Sequence, residues 1–141
     1  MAAITDLLPP GSVKENRLTY VVIGARYQDR WLFVRHRERV TWEMPAGHIE
    51  KGEPADEAAA RELGEETGAL DFSLQHLCDY TVTSGQKTEY GRLYAALISE
   101  LEPHLEFETA EVLLTDELPS ALTYREVQTI LFDRVASYFQ L

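Results

Sequence analysis

The sequence predicts an α/β fold in which a mixed β-sheet lies between helices, an α/β/α sandwich. Three observations carry this reading. β-branched and apolar runs bounded by turn residues occur on both sides of a central helix; that helix has clear start and stop signals; and a second helical period follows near the C-terminus. The resulting order, strands, helix, strands, helix, buries a sheet between two helical layers. With 141 residues, 45% of them hydrophobic, the chain has the size and core of one domain. No repeat, low-complexity tract or linker divides it, so residues 1–141 are expected to form a single domain.

Residues 1–16 are expected to be a loose arm, broken at Pro9-Pro10-Gly11. Thr19 to Tyr27 is β-branched and apolar, a strand buried on both faces. Gln28-Asp29-Arg30 turns the chain, and Trp31 to Arg35 returns as the second strand of a hairpin. After the charged stretch Arg35 to Arg39, Thr41 to Pro45 is a short extended piece entering a glycine turn. Pro54 suits the first helical position, where its missing N–H costs nothing, and Gly68 suits the stop. Ala55, Ala58, Ala59, Ala60 and Leu63 favour the helix, with Ala59 and Leu63 facing the sheet. Gly64 is the unhelpful interior residue, and its place is read as a close approach of another backbone. Phe72 to Thr83 and Thr88 to Ser99 are strands joined by Ser84-Gly85-Gln86-Lys87, and Val112 to Leu114 is a further short strand. Thr123 to Phe139 places Val127, Ile130, Leu131, Val135 and Tyr138 at helical spacing, a core stripe.

The net charge of −11 argues against binding nucleic acid polymers or an anionic membrane surface. One cysteine, Cys78, rules out an internal disulfide and fits a reducing compartment; its apolar-polar surroundings make it a structural thiol. The N-terminus has no signal-peptide pattern and no run approaches a membrane span, so a cytoplasmic protein is expected.

Seven of the 24 acids lie between Gly47 and Gly68. Within that run Glu62, Glu65 and Glu66 fall three and four residues apart, and side chains at this spacing are helix neighbours. At about 100° per residue, Glu65 and Glu66 flank Glu62 by about 60° and 40° on opposite sides. Three like charges in one arc repel unless something positive sits between them. Hard divalent cations prefer such an all-oxygen environment, so the cluster reads as a metal site.

The spacing around these acids is specific. Gly47, five residues, Glu53, seven residues, then Arg61-Glu62-Leu63-x-Glu65-Glu66-x-Gly68 resembles the Nudix box. The final box position usually carries a larger aliphatic and here is Ala69, a departure that concerns packing and not the acids. The resemblance implies the Nudix-type α/β/α sandwich and hydrolysis of a nucleoside diphosphate linked to another group, with Mg²⁺ or Mn²⁺ as cofactor. It implies that Glu62, Glu65 and Glu66 bind metal, together with the backbone carbonyl of Ala46. Either Glu62 or Glu65 takes the proton of the attacking water. Arg61 and Glu53 match positions that orient the glutamates, and Gly47, Gly52 and Gly68 are structural turn residues. Arg35, Arg37 and Arg39 either contact substrate phosphates or are ordinary surface arginines. Trp31, Trp42 and Tyr90 are expected to pack rather than stack on a base, and no histidine is assigned to the site.

Substrate choice is read from what surrounds the box. ADP-ribose hydrolases tend to carry a proline about sixteen residues past it. Here that stretch is Ser84-Gly85-Gln86, without the tyrosine of diadenosine polyphosphate hydrolases either. The compact layout is similar to MutT-type nucleoside triphosphate pyrophosphohydrolases, as are Phe107-Glu108-Thr109 and Leu113 to Pro119. Thr115-Asp116 stands where those enzymes place an asparagine that reads the oxidised base, and Pro-Ala-Gly replaces Pro-Gly-Gly before the box. The leading expectation is cleavage of a nucleoside triphosphate, ordinary or oxidised, to monophosphate and pyrophosphate. A non-hydrolysing nucleotide sensor and an RNA 5′-pyrophosphohydrolase stay open. The expected partner is a small nucleotide, with the protein a monomer or homodimer.

Overall fold

The computed structural model describes residues 3–103 and 110–141. Its elements run β1 (Ile4–Leu8), a 3-10 turn (Glu15–Arg17), β2 (Tyr20–Tyr27), β3 (Arg30–His36), β4 (Ala46–His48), α1 (Ala55–Thr67), β5 (Ala69–Ser84), β6 (Lys87–Leu101), β7 (Ala110–Thr115) and α2 (Arg125–Tyr138). Among the described residues they form one sheet, ordered β1-β5-β6-β2-β3-β7, with β4 paired to β2. β2 and β6 run parallel and the other pairs antiparallel, so the sheet is mixed as expected.

β2 explains both layers. Its alternate residues Val21, Ile23 and Ala25 join the core beneath α1, with Ala55, Ala59 and Leu63 of that helix. Val22 faces the opposite way and packs with Leu131 and Val135 of α2. A side chain at Gly24 would collide with Val135, so glycine there sets how closely α2 lies on the sheet. The two-residue turn after β2 places Gln28 and Asp29 at φ 51° and 63°, the left-handed pair that hairpin twist requires.

Three sequence expectations need correction. The supposed loose arm contains β1, which pairs with β5 from Ile4↔Thr83 to Leu8↔Asp79. The long β5 presents a free ladder there, and satisfying it outweighs the weak local pattern of the arm. Pro54 stands one position before the helix, in an extended conformation, and Ala55 is the first helical residue. Gly64 has only the Ala69 carbonyl oxygen within reach of an added Cβ, at an ordinary 3.7 Å, so no close approach demands glycine. The stop signal holds: Gly68 adopts φ 76° and its N–H bonds the Gly64 carbonyl at 3.0 Å. The stretch 107–109 lies outside the described residues, while Leu113 and Leu114 lie in β7.

β4 sets up the site. β2 shares one edge between two partners, β3 along Ala25–Tyr27 and β4 along Tyr20–Val22. The chain therefore brings Ala46 and Gly47 onto the start of β2, and the Pro45 carbonyl accepts from Ile23 N–H at 2.8 Å. α1 then crosses directly over this segment.

Candidate active site

α1 turns Glu62 and Glu66 inward, over β4. The Glu62 carboxyl group lies against Gly47, where any Cβ would collide with it. Glu66 is 8% exposed, and its Oε1 accepts from the backbone N–H of Ala46 at 2.8 Å. Glu65 faces outward, its side chain 61% exposed.

Arg61 is the positive group between them. Its Nε and Nη2 donate to both oxygens of Glu53, at 2.8 and 2.9 Å, a bidentate pair. Nη1 donates to Glu62 Oε1 at 2.8 Å and reaches Glu65 Oε2 at 3.4 Å, while Nη2 also reaches the His48 carbonyl at 3.2 Å. Glu53 further accepts from Glu50 N–H at 3.0 Å, closing the turn that contains Gly52 at φ 79°. Arg61 and then this backbone bond hold the Glu53 carboxyl down at about 2.

Burial acts the other way on the remaining acids. Glu66 is pushed up to about 8, chiefly by burial and further by the charges of Glu62, Glu43 and Glu65, against the Ala46 N–H. Glu62 is also raised, with burial outweighing Arg61. Glu43 is raised by burial against the charges of His36 and Arg39.

Among the described residues, no three carboxylates or imidazoles stand close enough to enclose an ion as they are. The donor set nevertheless suits a hard cation. It is all oxygen, two of its members are raised by burial, Gly47 lets the Glu62 carboxyl group lie against the backbone, and Glu65 is exposed on the next turn.

His36 and Glu43 join this cluster although sequence reasoning passed over them. His36 Nε2 lies 3.2 Å from both Glu43 Oε1 and Glu66 Oε2. The signal available was weak: His36 stands within an arginine-rich run, and Glu43 lies four residues before Gly47. Arg35 and Arg39 face different partners. Arg35 is tied to Glu111 at 2.7 Å and to the Arg39 carbonyl at 3.1 Å. Arg37 is exposed on the connection after β3. Arg39 leans toward the rim of the site, with its guanidinium 5.4 Å from the centre of the Tyr124 ring.

A cleft of about 300 Å³ opens on the α2 side of the sheet and reaches the glutamates at Ala46 and Glu43. Tyr20, Tyr80, Tyr90 and Tyr124 line it, with Gln128 in its wall. Tyr124 precedes α2 at φ 51° and is 64% exposed, so its ring stands at the rim. Trp31 packs against Phe132 in the core as expected, with ring centres 4.7 Å apart. Tyr90 packs against the core beneath α1 as expected. It lines the cleft with Arg17 over its ring.

A family model described as NUDIX domain matches residues 16–132. The chain belongs to that family. Among its Nudix relatives is a Bacillus subtilis protein with the provisional name 8-oxo-dGTP diphosphatase YtkD, 39% identical over 105 residues. That match covers 74% of this chain and 66% of the relative. Another, the provisionally named mutator protein MutT4 of Mycobacterium tuberculosis, is 40% identical over 118 residues, 74% of this chain and 47% of that protein. The chain thus spans less than two thirds of either relative. The crystal structure of a glutamate-to-alanine variant of the Bacillus subtilis pyrophosphohydrolase BsRppH superposes with a TM-score of 0.80 at 29% identity. It covers 96% of this chain and 90% of that one. Among the described residues no helix is long and apolar enough to cross a membrane.

Proposed function

We propose that this Nudix protein is a metal-dependent pyrophosphohydrolase that cleaves a nucleoside triphosphate to the monophosphate and pyrophosphate. One observation carries the reading. The tyrosine-lined cleft and the glutamate face of α1 meet at a shared backbone residue, Ala46, which borders the cleft and donates its N–H to Glu66. A base held among the tyrosines then directs its phosphates past β4 onto the glutamates.

Glu62, Glu65 and Glu66, with the Ala46 carbonyl, would hold Mg²⁺ or Mn²⁺, which neutralises phosphate oxygens and makes water a nucleophile at neutral pH. The protein's own groups do the rest. Arg61, clamped by Glu53, fixes Glu62 and holds exposed Glu65 by a longer contact of 3.4 Å. Glu62 or Glu65 accepts the water's proton. Gly47 brings the backbone against the Glu62 carboxyl group, and the Gly52 and Gly68 turns fix the two ends of the loop and helix. The negative surface is consistent with a small substrate reached through a cation and with no membrane partner. Members of a monomer or homodimer would each carry a complete site, within a single domain spanning residues 1–141 and a reducing cytoplasm.

Relatives that match shorter stretches of this chain are named RNA pyrophosphohydrolase, and they favour a second reading, hydrolysis at the 5′ triphosphate end of RNA. A product-resolved panel with magnesium separates the readings. It compares ordinary and oxidised nucleoside triphosphates, ADP-ribose, dinucleotides and 5′-triphosphorylated oligonucleotides. Release of pyrophosphate from nucleoside triphosphates, lost by more than about a hundredfold in Glu66→Gln, is expected. Tight binding without turnover at high enzyme concentration would instead identify a nucleotide sensor.

A further inference from the structure

Gln128 is not used by the hydrolytic reading, yet it is 4% exposed and lines the cleft. Its Oε1 accepts from the backbone N–H of Met44 at 2.9 Å. A backbone N–H can only donate, so this bond fixes which end of the carboxamide faces the strand. The Nε2 end is therefore directed away from Met44. Among the described residues no hydrogen bond takes up that nitrogen. Nor is it sealed off, because Thr5 Oγ1 is the sole buried side-chain polar atom lacking a partner among them. Gln128 thus lines the cleft with a carboxamide whose donor end is held away from Met44. Glu43, next in the chain to Met44, lines the same wall; His36 Nε2 lies 3.2 Å from its Oε1, and a carboxylate has about four acceptor sites, so capacity to accept from a ligand remains.

We propose that Gln128 is a specificity-determining residue that selects 6-oxopurine nucleotides, its Nε2 donating to the base carbonyl while Glu43 accepts from the neighbouring ring N–H. This rests on the cleft holding the base of the nucleotide proposed above. Every base offers some donor and some acceptor, so the number of bonds decides. Guanine carries a carbonyl at position 6 beside two adjacent N–H groups, at N1 and the 2-amino group. The carbonyl meets Gln128, and the N–H pair meets the two oxygens of Glu43. Adenine has one amino donor beside a ring acceptor and forms fewer of these bonds. Hypoxanthine keeps the carbonyl and N1–H but lacks the 2-amino group. A site built around fixed polar groups discriminates because the wrong base leaves them unpaired.

The test is titration calorimetry of GMP, IMP and AMP with the wild-type protein and Gln128→Glu in magnesium buffer, alongside GTP and ATP turnover. Glutamate keeps an oxygen for Met44 N–H but replaces the donor with an acceptor, and thermal melts establish that the variant folds. Wild-type protein is expected to bind GMP at least about tenfold more tightly than AMP, with IMP between them. Gln128→Glu is expected to weaken GMP at least about tenfold and AMP by less than about threefold. A merely structural role would weaken all three alike. The inference is overturned by equal GMP and AMP affinity, by no measurable GMP binding, or by unchanged selectivity in the folded variant. The wild-type ligand series decides the matter even where the variant does not fold. GMP selectivity without any GTP turnover would support this inference and defeat the hydrolytic reading; unselective turnover of GTP and ATP would do the reverse.

Discussion

Asp79 and Glu66 are both buried carboxylates, but Asp79 collects four polar contacts and Glu66 far fewer. Asp79 takes two bonds from Arg92, at 2.7 and 3.2 Å, one from Val13 N–H at 2.9 Å and one contact to His76 at 2.8 Å. Burial works to raise its pKa, and these partners reverse that, leaving it lowered. Glu66 has the Ala46 N–H and a shared contact with His36, and it is raised to about 8. Burial is common to both and so does not mark a site. The under-satisfied carboxylate is the one with capacity for a ligand, while the saturated one ties the arm at Val13 to β5 and β6.

The largest effect expected from breaking this contrast is on the saturated side. Asp79→Ala strands Arg92 in the interior, and removing one partner of such a pair costs about 3–5 kcal/mol. In a chain of this size that lowers the melting temperature by roughly 10 °C. Turnover measured well below the melt should remain within about threefold, because no substrate-facing group is removed.

The next effect is a pH dependence of opposite sign at the two sites. Glu66 has a folded pKa near 8 against an ordinary value of 4.5. Its contribution is therefore fully present below about 4.5 and is lost as pH rises through about 8. Asp79 is lowered below its ordinary 3.8, so its contribution is present above that value and lost as pH falls below it. Metal-free protein should lose stability between pH 5 and 8, read by thermal melts, and Glu66→Gln should flatten that slope. A slope unchanged in Glu66→Gln would mean that another group carries it.

Arg61→Lys sharpens the contrast from within the site. Lysine cannot reproduce the bidentate bond to Glu53, so kcat should fall by about 10- to 100-fold with a smaller change in KM. The smallest effect belongs to Gly64→Ala. An alanine Cβ meets only an ordinary 3.7 Å neighbour, so up to about 1 kcal/mol of stability should be gained, seen as a modest rise in melting temperature.

α1 was legible because its information is local: the alanine-rich interior, the stop at Gly68 and the glutamate spacing all lie within one run. The same holds for the turn at Gly85, which takes φ 63° between β5 and β6. β1 was not legible because its reason is the edge of β5, more than seventy residues away. The ion pair of Arg35 was out of reach for the same cause, since its partner Glu111 stands 76 residues on. His36, Glu43 and Gln128 could not be joined from spacing at all. Gln128 sits 84 residues from Met44, and on a helical wheel it looks like one polar residue beside an apolar stripe.

The lining of the cleft carries a consequence for how such a protein diverges. Ala3, Tyr20, Glu43, Tyr90, Tyr124 and Gln128 come from well-separated parts of the chain, whereas the box glutamates arrive in one contiguous stretch. A single duplication can transmit the whole glutamate stretch intact. The cleft, by contrast, presents many independent mutational targets, each able to change its shape and polarity without touching Glu62, Glu65 or Glu66. The lining of the cleft is therefore free to vary by single steps while the glutamate stretch is inherited as a block.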